Sequence, residues 1–483
     1  MKKRRLMLPL LAVAGTIVFS APVINAVVSI YPTGTTIYQP DKTWNGYTLL
    51  DTADGNGAAL IDMNGTVLRR WPELSGMGPF RLYPGGYVMG GDEFRNPYQE
   101  SVALVEFDWD GNEIWRFDRI DMVAAPTSSD EGEGEAEGQA AQGDDAPAVW
   151  TARQHHDWQR EGNPVGYYSP DLTPNATSGN TLILSHKNVI NLDVSDKRLE
   201  DDYIYEVSWE GEVLWEWSAS DHIDEMGFSQ DARNAIYRSV GFNEARQSAD
   251  WLHVNSATYL GPNKWYDAGD ERFHPEHIMI SSRTANIVAI IARDGSIVWR
   301  MGPDYTESKP LAELGQIIGQ HNPHIIPQGL PGAGNLLVFD NGGHGGYGSA
   351  NPARPDGTNA MTRDSSRVLE INPVTFEVVW EYSIGPGTES FQFYSWYVSN
   401  AQRLPNGNTM INEGMNGRIF ELTEEKELVW EFVSPFFSDD NTPSHRVYRA
   451  YRVPYAWIPQ LDTPRERAVI PPALGEFRIP AEP

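Results

Sequence analysis

The stretch DGSIVWRM at residues 294–301 decides the fold, because the same phrase recurs along the chain. It joins a turn, usually made by glycine, to a β-branched and aromatic run in which alternate side chains fall on one face of a strand. Five further copies, some of them looser, complete a set of six: NGTVLRRW at 64–71, DGNEIWRF at 110–117, EGEVLWEW at 210–217, TFEVVWEY at 375–382 and EKELVWEF at 425–432.

A second strand precedes each turn, as IVAII does at 287–291. Six tandem hairpins, with no long apolar helix pattern between them, indicate a repeat architecture. Radial closure of short antiparallel sheets protects the strand edges of such a chain. The sequence therefore predicts an all-β fold, a six-bladed β-propeller over residues 29–455. We expect the ring to close by pairing of 445–453 with 44–50.

Composition limits the classes of partner and of covalent chemistry. The formal net charge of −29 argues against a nucleic-acid partner. Residues 127–148 hold seven acidic side chains and no basic one, which predicts a disordered acidic insertion within the propeller domain. The Pro-rich tail at 456–483 is expected to run over the surface. The chain has no cysteine, which excludes a disulfide, a thiolate nucleophile and a Cys-ligated zinc ion.

The N-terminus has the pattern of a targeting segment. The basic run KKRR at 2–5 precedes an almost uncharged apolar stretch at 6–28. Residues 1–28 are therefore expected to be either a cleaved signal peptide or an uncleaved N-terminal membrane anchor. In both cases the propeller is exported, to the periplasm or to the outer face of the inner membrane.

Three histidines open the predicted inner strands of three repeats, and they are His156, His253 and His321. Tyr397 takes that place in the last repeat. Equivalent positions on successive blades point at the same axial channel, so these groups should converge at one mouth. The antiparallel second strands return to this mouth and bring Arg283 there. The sequence thus predicts a pocket of imidazoles, a guanidinium and amides.

Such a mouth can carry nucleophilic and proton-transfer chemistry, because an imidazole does both at neutral pH and a guanidinium stabilises a transferring anion. A single histidine in a β protein is ordinarily a satisfied structural group, and repetition at one repeat position weakens that alternative. A His-rich mouth could also hold a divalent metal. Few carboxylates are expected at the mouth, so no metal site is predicted.

At these residues the chain resembles the bacterial arylsulfate sulfotransferase family. The shared pattern covers most of the chain, and its order on the repeat is more specific than any one motif. The resemblance implies an exported propeller that moves a sulfuryl group from a phenolic sulfate ester to another phenol. It also implies a sulfohistidine intermediate, ping-pong kinetics, no cofactor and no nucleotide sulfate donor. The motifs are PTGTTIY at 32–38, WNGY at 44–47, HHD at 155–157, LHVNS at 252–256, SSR at 281–283 with Asn286, QH at 320–321 and FDNG at 339–342.

Carried onto this chain, the Gln-His motif makes His321 the nucleophile. The resemblance implies that His253 supports the sulfuryl or phenol oxygens and that Arg283 binds the sulfate, which gives three catalytic candidates. The substrate-binding candidates are His156, Asn255, Asn286, Arg300 and Tyr397. Arg300 is the weakest of them, because it stands on an outermost strand where other repeats have glutamate, and a structural role is favoured for it.

Two departures from the family pattern keep other functions open. Thr284 stands where a further histidine is expected after Ser-Ser-Arg, and cysteine is absent. The alternatives are a non-catalytic exported propeller that binds a ligand or a protein partner, and an aryl sulfate hydrolase with water as acceptor. The identities of the phenolic donor and acceptor, and a homodimer, stay open as well.

Overall fold

The structure is a computed structural model, and it describes residues 33–76, 78–95, 98–124, 148–243, 248–385 and 392–470. The predicted targeting segment at 1–28, nearly all of the acidic insertion and the end of the tail lie outside these residues. Within them, no helix is both long and apolar enough to cross a membrane.

The described chain is almost entirely β-structure. In chain order its strands are β1 (Gly34–Tyr38), β2 (Tyr47–Asp51), β3 (Ala58–Ile61), β4 (Val67–Trp71), β5 (Arg81–Tyr83), β6 (Tyr87–Arg95), β7 (Glu100–Phe107), β8 (Glu113–Phe117), β9 (Asp121–Ala124), β10 (Ala148–Thr151), β11 (Gln154–Arg160), β12 (Thr181–Val189), β13 (Leu199–Val207), β14 (Val213–Ser218), β15 (Phe242–Asn243), β16 (Ser248–Ala249), β17 (Val254–Tyr259), β18 (Ile278–Ser282), β19 (Ile287–Ile291), β20 (Ile297–Met301), β21 (His321–Ile325), β22 (Leu336–Asp340), β23 (His344–Gly345), β24 (Met361–Thr362), β25 (Arg367–Ile371), β26 (Val378–Tyr382), β27 (Asn400–Arg403), β28 (Thr409–Glu413), β29 (Arg418–Leu422), β30 (Leu428–Val433) and β31 (Ala450–Val453). The α-helices are short: α1 (Gln230–Ser239), α2 (Lys264–Asp267) and α3 (Lys309–Leu314).

Antiparallel sheets of four or more strands follow one another along the chain in a propeller-like fold. Three of them have four strands, in the orders β31-β2-β3-β4, β17-β18-β19-β20 and β21-β22-β25-β26. One has five, β1-β30-β29-β28-β27, and the largest has ten, including β5 to β8 and β11 to β14. Apart from β31 and β1, which come from the opposite end of the chain, and the short β15 and β16, the strands of each group follow chain order across the sheet, as the sequence predicts.

The ring closes with strands from both ends of the chain. The predicted pairing of the C-terminal strand with β2 is confirmed, since Leu49 lies opposite Tyr451 and Leu50 opposite Ala450. An addition that the sequence analysis did not foresee is β1, which joins the outer edge of the last sheet beside β30.

The recurring phrase forms the outer hairpin of every group, and each hairpin carries a register shift next to its turn. The second residue of the phrase has a positive φ in all six copies, a conformation that favours glycine. Four copies supply glycine and two do not: Gly65 (+81°), Gly111 (+87°), Gly211 (+86°), Gly295 (+92°), Phe376 (+60°) and Lys426 (+69°).

In five of the six copies, a tryptophan at the sixth position of the phrase ties its sheet to the next, and the first copy has Arg69 there. Trp299, for example, donates its indole N–H to the carbonyl of Pro373, 2.9 Å away in the turn of the following hairpin. Burial of apolar side chains between successive sheets supplies most of the adhesion. The same indole bond is made by Trp115 to Trp209, Trp215 to Arg293, Trp380 to Glu424 and, from the last sheet back to the first, Trp430 to Met63.

Candidate active site

The three histidines at the predicted channel mouth lie together. His156 is in β11, His253 immediately precedes β17, and His321 is the first residue of β21. The rings of His156 and His253 meet edge to face with centroids 4.6 Å apart. His321 is close to both, since its charge contributes to the lowered pKa of His156 and the charge of His253 contributes to the lowered pKa of His321. The structure therefore brings these sequence-predicted residues into one group.

Local backbone irregularity turns these side chains inward. His156 and His253 have φ angles of +54° and +50°, in the left-handed region, which costs on the order of 1–3 kcal/mol for a residue other than glycine. In each of the three sheets the inner strand also has a bulge at or just after the histidine. Bulges next to active sites re-aim side chains in this way.

His321 is held in one tautomer. Its Nδ1 lies 2.8 Å from Oδ1 of Asn341 and 3.0 Å from the carbonyl of Gly319, and because both are acceptors, Nδ1 carries the proton. Its Nε2 therefore has the lone pair and accepts the N–H of Val398 at 3.2 Å. Burial and then the charge of Arg283 lower the pKa of His321 well below its usual range. The ring is thus neutral at neutral pH, with a nucleophilic Nε2.

The turn that precedes His321 is clamped by two of the predicted substrate-binding amides. Asn286 accepts the N–H of Gly319 at 2.9 Å, and Asn255 donates its side-chain amide to the carbonyl of Gln320 at 2.8 Å. Both asparagines are fully buried. Their contacts position the turn that carries the nucleophile candidate, and their expected contact with substrate stays a prediction.

The Gln320 side chain completes this clamp. Its amide nitrogen donates to the carbonyls of Ser282 and Ile287, at 3.0 and 2.9 Å, and lies 3.2 Å from the hydroxyl of Ser281. The Ser-Ser-Arg motif, Asn286 and the Gln-His motif, which are separate in the sequence, are therefore one hydrogen-bonded corner. This corner fixes where His321 begins its strand.

His253 is oriented by a carboxylate. Its Nδ1 donates to Oδ2 of Asp250 at 2.6 Å, and both side chains are 16% exposed. A carboxylate in this position holds the imidazole in the Nδ1–H tautomer and stabilises it when Nε2 takes up a proton. His253 is thus set up as a proton carrier, and it is more accessible than His321.

Arg283 lies beside this group with two aromatic neighbours that sequence reasoning missed. Its Nη2 is 3.5 Å from Nε2 of His344, and its guanidinium carbon is 5.8 Å from the ring of Trp396. Burial and then the charge of Arg283 lower the pKa of His344 to about 4. The one sequence signal for His344 is its position in the glycine-rich run that follows the Phe-Asp-Asn-Gly motif.

Tyr397 stands next to the residue that reaches His321. Its hydroxyl accepts a hydrogen bond from Nη1 of Arg446 at 2.9 Å, and its ring packs on Trp396. The following residue, Val398, has a φ of +56°, which is a strained conformation for a β-branched side chain. That strain is what directs its N–H at Nε2 of His321.

The structure does not bring Arg300 to this group. It lies on β20, the outermost strand of its sheet, where its guanidinium binds the carboxylate of Glu307 at 2.9 Å and the carbonyl of Gly302 at 2.6 Å. The structural role favoured from the sequence agrees with these contacts, and a direct role in sulfate binding has no support from them.

A buried ion-pair network underlies the histidines and was not foreseen. Asp157 accepts from Arg81 at 2.6 Å and pairs with Arg449 at 3.1 Å, and all three side chains are fully buried. Arg449 also donates to the carbonyl of Asn255 at 2.7 Å. Because these residues come from β5, β11, β17 and the segment that leads into the closing strand β31, the network fixes the inner strands relative to one another.

Carboxylates are plentiful in the layer directly behind the histidines. His155 contacts His156 through their Nδ1 atoms at 2.8 Å and stacks on His186 with centroids 3.6 Å apart. Two overlapping buried sets in the described residues have the composition of metal ligands. They are His155, His186 and Asp202, and Glu100, His186 and Glu200. The sequence prediction of few carboxylates concerned the mouth itself, and acidic residues in the first half of β13 and at the start of β7 cannot be assigned to the layer behind it without the register.

Several solved structures are similar to this chain at low identity. A protein of unknown function from Bacteroides caccae has 13% identity and a TM-score of 0.40, over 85% of this chain and 99% of that chain. A streptogramin B lyase has 10% identity and a TM-score of 0.34, over 89% and 94%. Virginiamycin B lyase from Staphylococcus aureus has 11% identity and a TM-score of 0.33, over 83% and 85%.

A search of curated proteins found no match to this chain. A family model described as Arylsulfotransferase (ASST) matches residues 171–432, more than half of the 483 residues. The matched region includes His253, Arg283 and His321. The chain therefore belongs to the arylsulfotransferase family.

Proposed function

We propose that this protein transfers a sulfuryl group from a phenolic sulfate ester to a phenolic acceptor, with His321 as the covalent nucleophile. The observation that carries the proposal is the state of His321: a neutral imidazole whose Nδ1–H is bound by Asn341 and Gly319, beside the cation Arg283. Attack on sulfur needs a neutral histidine with the lone pair on Nε2 and a nearby cation to stabilise the transferring anion.

In the first half-reaction Nε2 of His321 attacks sulfur as the bond from sulfur to the phenolic oxygen breaks. The electron pair of that bond leaves with the phenol oxygen, and an N–S bond replaces it. The positive charge that develops on the ring is shared with the acceptors of its Nδ1–H, Asn341 and Gly319. Nε2 must give up the Val398 N–H to attack, and that N–H is then released beside the transferring group, where it can donate to a sulfuryl oxygen.

Two further groups have distinct tasks in this step. His253, oriented by Asp250, gives a proton to the leaving phenolate, and Arg283 binds the sulfuryl oxygens. In the second half-reaction an acceptor phenol loses its proton to His253 and takes the sulfuryl group from Nε2. No nucleotide sulfate is required, because the ester itself supplies the activated group. The two half-reactions give ping-pong kinetics.

We further propose that the strand groups make six blades. The ten-stranded sheet joins β5–β8 to β11–β14 through a single residue pair, Ser101 with Gln154, so it is better described as two four-stranded blades in contact. The six buried clusters between successive groups, including the one that joins the last sheet to the first, support this count.

The basic and apolar pattern of residues 1–28 supports export of this domain to the periplasm, free or attached to the outer face of the inner membrane. Cell fractionation of a tagged full-length chain would test this. Recovery in the cytoplasmic fraction would contradict it.

The deciding experiment is mass spectrometry of the protein after mixing with 4-nitrophenyl sulfate and no acceptor. We expect a gain of one sulfuryl group on the peptide that contains His321, with release of one equivalent of phenol. His321→Asn should abolish the gain. His324→Asn, which removes a second buried imidazole from the same strand, should retain it. Phenol released continuously without an adduct would favour hydrolysis, and neither adduct nor phenol from several donors would favour the non-catalytic binding propeller.

A further inference from the structure

One imidazole beside the candidate active site has no task in the proposed transfer. His344 lies on the two-residue strand β23, and its side chain is half-buried next to Arg283. The strand belongs to a glycine-rich run that follows the Phe-Asp-Asn-Gly motif, with glycine on both sides of the histidine. The run is therefore built to present a single side chain at this place.

The two glycines that flank His344 are required by space. A Cβ at Gly343 would lie 2.1 Å from the carbonyl oxygen of Trp396, and a Cβ at Gly345 would lie 2.4 Å from Oδ1 of Asn286. Neither glycine has a positive φ, so the close approach of the backbone, and not its conformation, excludes other residues. The chain is thus packed tightly against both of its neighbours at this point.

The same run is tied to the segment that carries Arg283. Gly346 donates its N–H to the carbonyl of Thr284, the residue after Arg283, at 2.7 Å. The strand itself is held by β24, where His344 lies opposite Thr362. These contacts fix the backbone of His344 relative to that of Arg283, although the two residues are far apart in the sequence.

The ring of His344 contacts both the guanidinium and an indole. It stacks on Trp396 with centroids 5.4 Å apart and planes inclined by 24°. Its Nε2 is 3.5 Å from Nη2 of Arg283, and the guanidinium carbon of Arg283 is 5.8 Å from the Trp396 ring, within the range of a cation–π contact. The indole therefore orients the imidazole, and the imidazole faces the guanidinium.

The direction of the contact with Arg283 follows from the chemistry of the two groups. A guanidinium has only N–H donors, so Nε2 of His344 is the acceptor and Nδ1 carries the proton. This agrees with the pKa of His344, which burial and then Arg283 lower to about 4, so that the ring is neutral at neutral pH. A distance of 3.5 Å is the long limit of a hydrogen bond, and such bonds in an unliganded site tighten when substrate binds.

We propose that His344 is a positioning residue, which holds the guanidinium of Arg283 in the plane in which it binds the sulfuryl oxygens of the substrate. The inference rests on the proposed function, which gives Arg283 that task. A planar guanidinium recognises an oxyanion with two of its N–H groups at once, so its orientation matters as well as its charge. A carboxylate could hold it equally well but would oppose its charge, whereas a neutral imidazole leaves that charge for the substrate.

The test measures the binding of 4-nitrobenzenesulfonate to the full-length chain by calorimetry. This probe keeps the aryl ring and the sulfo oxygens of a donor, but a carbon–sulfur bond replaces the ester, so no group can be transferred. His344→Asn, whose amide cannot reach as far as Nε2, should weaken binding about 10-fold. His344→Gln, whose amide oxygen can take the place of Nε2, should retain most of the affinity.

A double-mutant cycle separates positioning from packing. Arg283→Lys keeps a positive charge but has no plane to be held, so His344→Asn should add almost no loss in that background. The matched control is His222→Asn, which removes another imidazole stacked on a tryptophan, at 5.1 Å from Trp217, and should leave the affinity unchanged. Thermal unfolding checks that each variant is folded, and His344→Leu takes the place of His344→Asn if that variant is not.

Three outcomes would overturn the proposal: equal losses in His344→Asn and His344→Gln, the same loss in the arginine and lysine backgrounds, or a wild-type chain that does not bind the sulfonate. These are binding measurements without a reactive donor. A chain that forms no adduct on His321 can still show the expected cycle, so failure of the covalent mechanism and failure of this inference are read separately.

Discussion

Oδ1 of Asn341 accepts the Nδ1 proton of His321 at 2.8 Å, while the amide nitrogen of the same asparagine donates to the carbonyls of Ser395 and Val398. The two donated bonds fix which way the amide faces, so Asn341 can only be an acceptor for the imidazole. One side chain therefore sets the tautomer of the proposed nucleophile and also holds the segment that carries the Val398 N–H.

Asn341→Ala should lower kcat by about 10- to 100-fold with little change in KM, because a hydrogen bond to a charged group is lost mainly in the sulfated state. Steady-state kinetics with 4-nitrophenyl sulfate and a phenol would measure this. Asn412→Ala is the matched control, since Asn412 makes the same kind of amide bonds to Val447 and Tyr448 on the next sheet. A drop in both variants to the same extent would indicate a general loss of packing instead.

The His253–Asp250 pair predicts a dependence on the leaving group. If His253 protonates the departing phenolate, His253→Gln should slow donors whose phenol has a high pKa far more than it slows 4-nitrophenyl sulfate. The rate loss for such donors should be at most about 10²–10⁴-fold larger. Asp250→Asn should show the same trend, more weakly. Burst rates for a series of substituted phenyl sulfates would give the slope of log rate against phenol pKa. An equal loss for every donor would remove His253 from proton transfer.

The charge of Arg283 determines the direction in which the acid limb of the pH profile should move when this residue is replaced. Burial and then Arg283 hold the pKa of His321 well below its usual range, so the ring is neutral and reactive through pH 6.5 and some way below it. Arg283→Gln removes the nearby positive charge, so the pKa of His321 should rise and the acid limb of the phenol burst should move to higher pH.

The control for this shift is Arg293→Gln, whose guanidinium binds Glu206 at 2.7 Å and contacts Trp215. It should leave the acid limb where it is in the wild-type chain. A shift toward lower pH in Arg283→Gln would contradict the assignment of the limb to His321.

How far the sequence predicted this molecule can be judged from particular residues. The hairpins and the convergence of His156, His253 and His321 could be predicted from their positions in the repeat. When sheets are arranged radially, equivalent positions of successive repeats lie around the same point on the axis. The closing strand followed from the need to pair an open edge. These inferences required no knowledge of side-chain neighbours.

What the sequence could not supply depends on such neighbours. Asn255 and Asn286, predicted to bind substrate, also clamp the turn before His321, a role that only their hydrogen-bond partners reveal. The Val398 N–H is a backbone group and has no sequence signal. Glu100 and Asp202 lie behind the histidines because of a register between strands that the local pattern of charge does not encode.

Two tryptophans of the recurring phrase should differ in how much stability is lost when each is replaced by phenylalanine. Trp299→Phe removes the indole bond to Pro373 and should destabilise the fold by about 0.5–1.5 kcal/mol beyond the cost of lost volume. Trp71 stands at the eighth position of its copy of the phrase rather than the sixth, and its buried Nε1 has no hydrogen-bond partner among the described residues. Trp71→Phe should therefore cost less, because it removes an unsatisfied donor. Urea unfolding midpoints of the two variants, compared at an unchanged m-value, would measure the difference. A larger loss of stability for Trp71→Phe would contradict a stabilising role for the indole bond between sheets.

The turn of the last hairpin predicts a stabilising substitution. Lys426 stands where four of the six copies have glycine, and its φ of +69° costs a residue with a Cβ about 1–2 kcal/mol. Lys426→Gly relieves that strain but loosens the unfolded chain, so we expect a net gain of about 0.5–1 kcal/mol. Glu425→Gly, one residue earlier in the same exposed turn and without a positive φ, should instead destabilise. Denaturant unfolding of both variants tests this. A loss of stability in Lys426→Gly would contradict the prediction, because it would mean that lysine is not strained at this position.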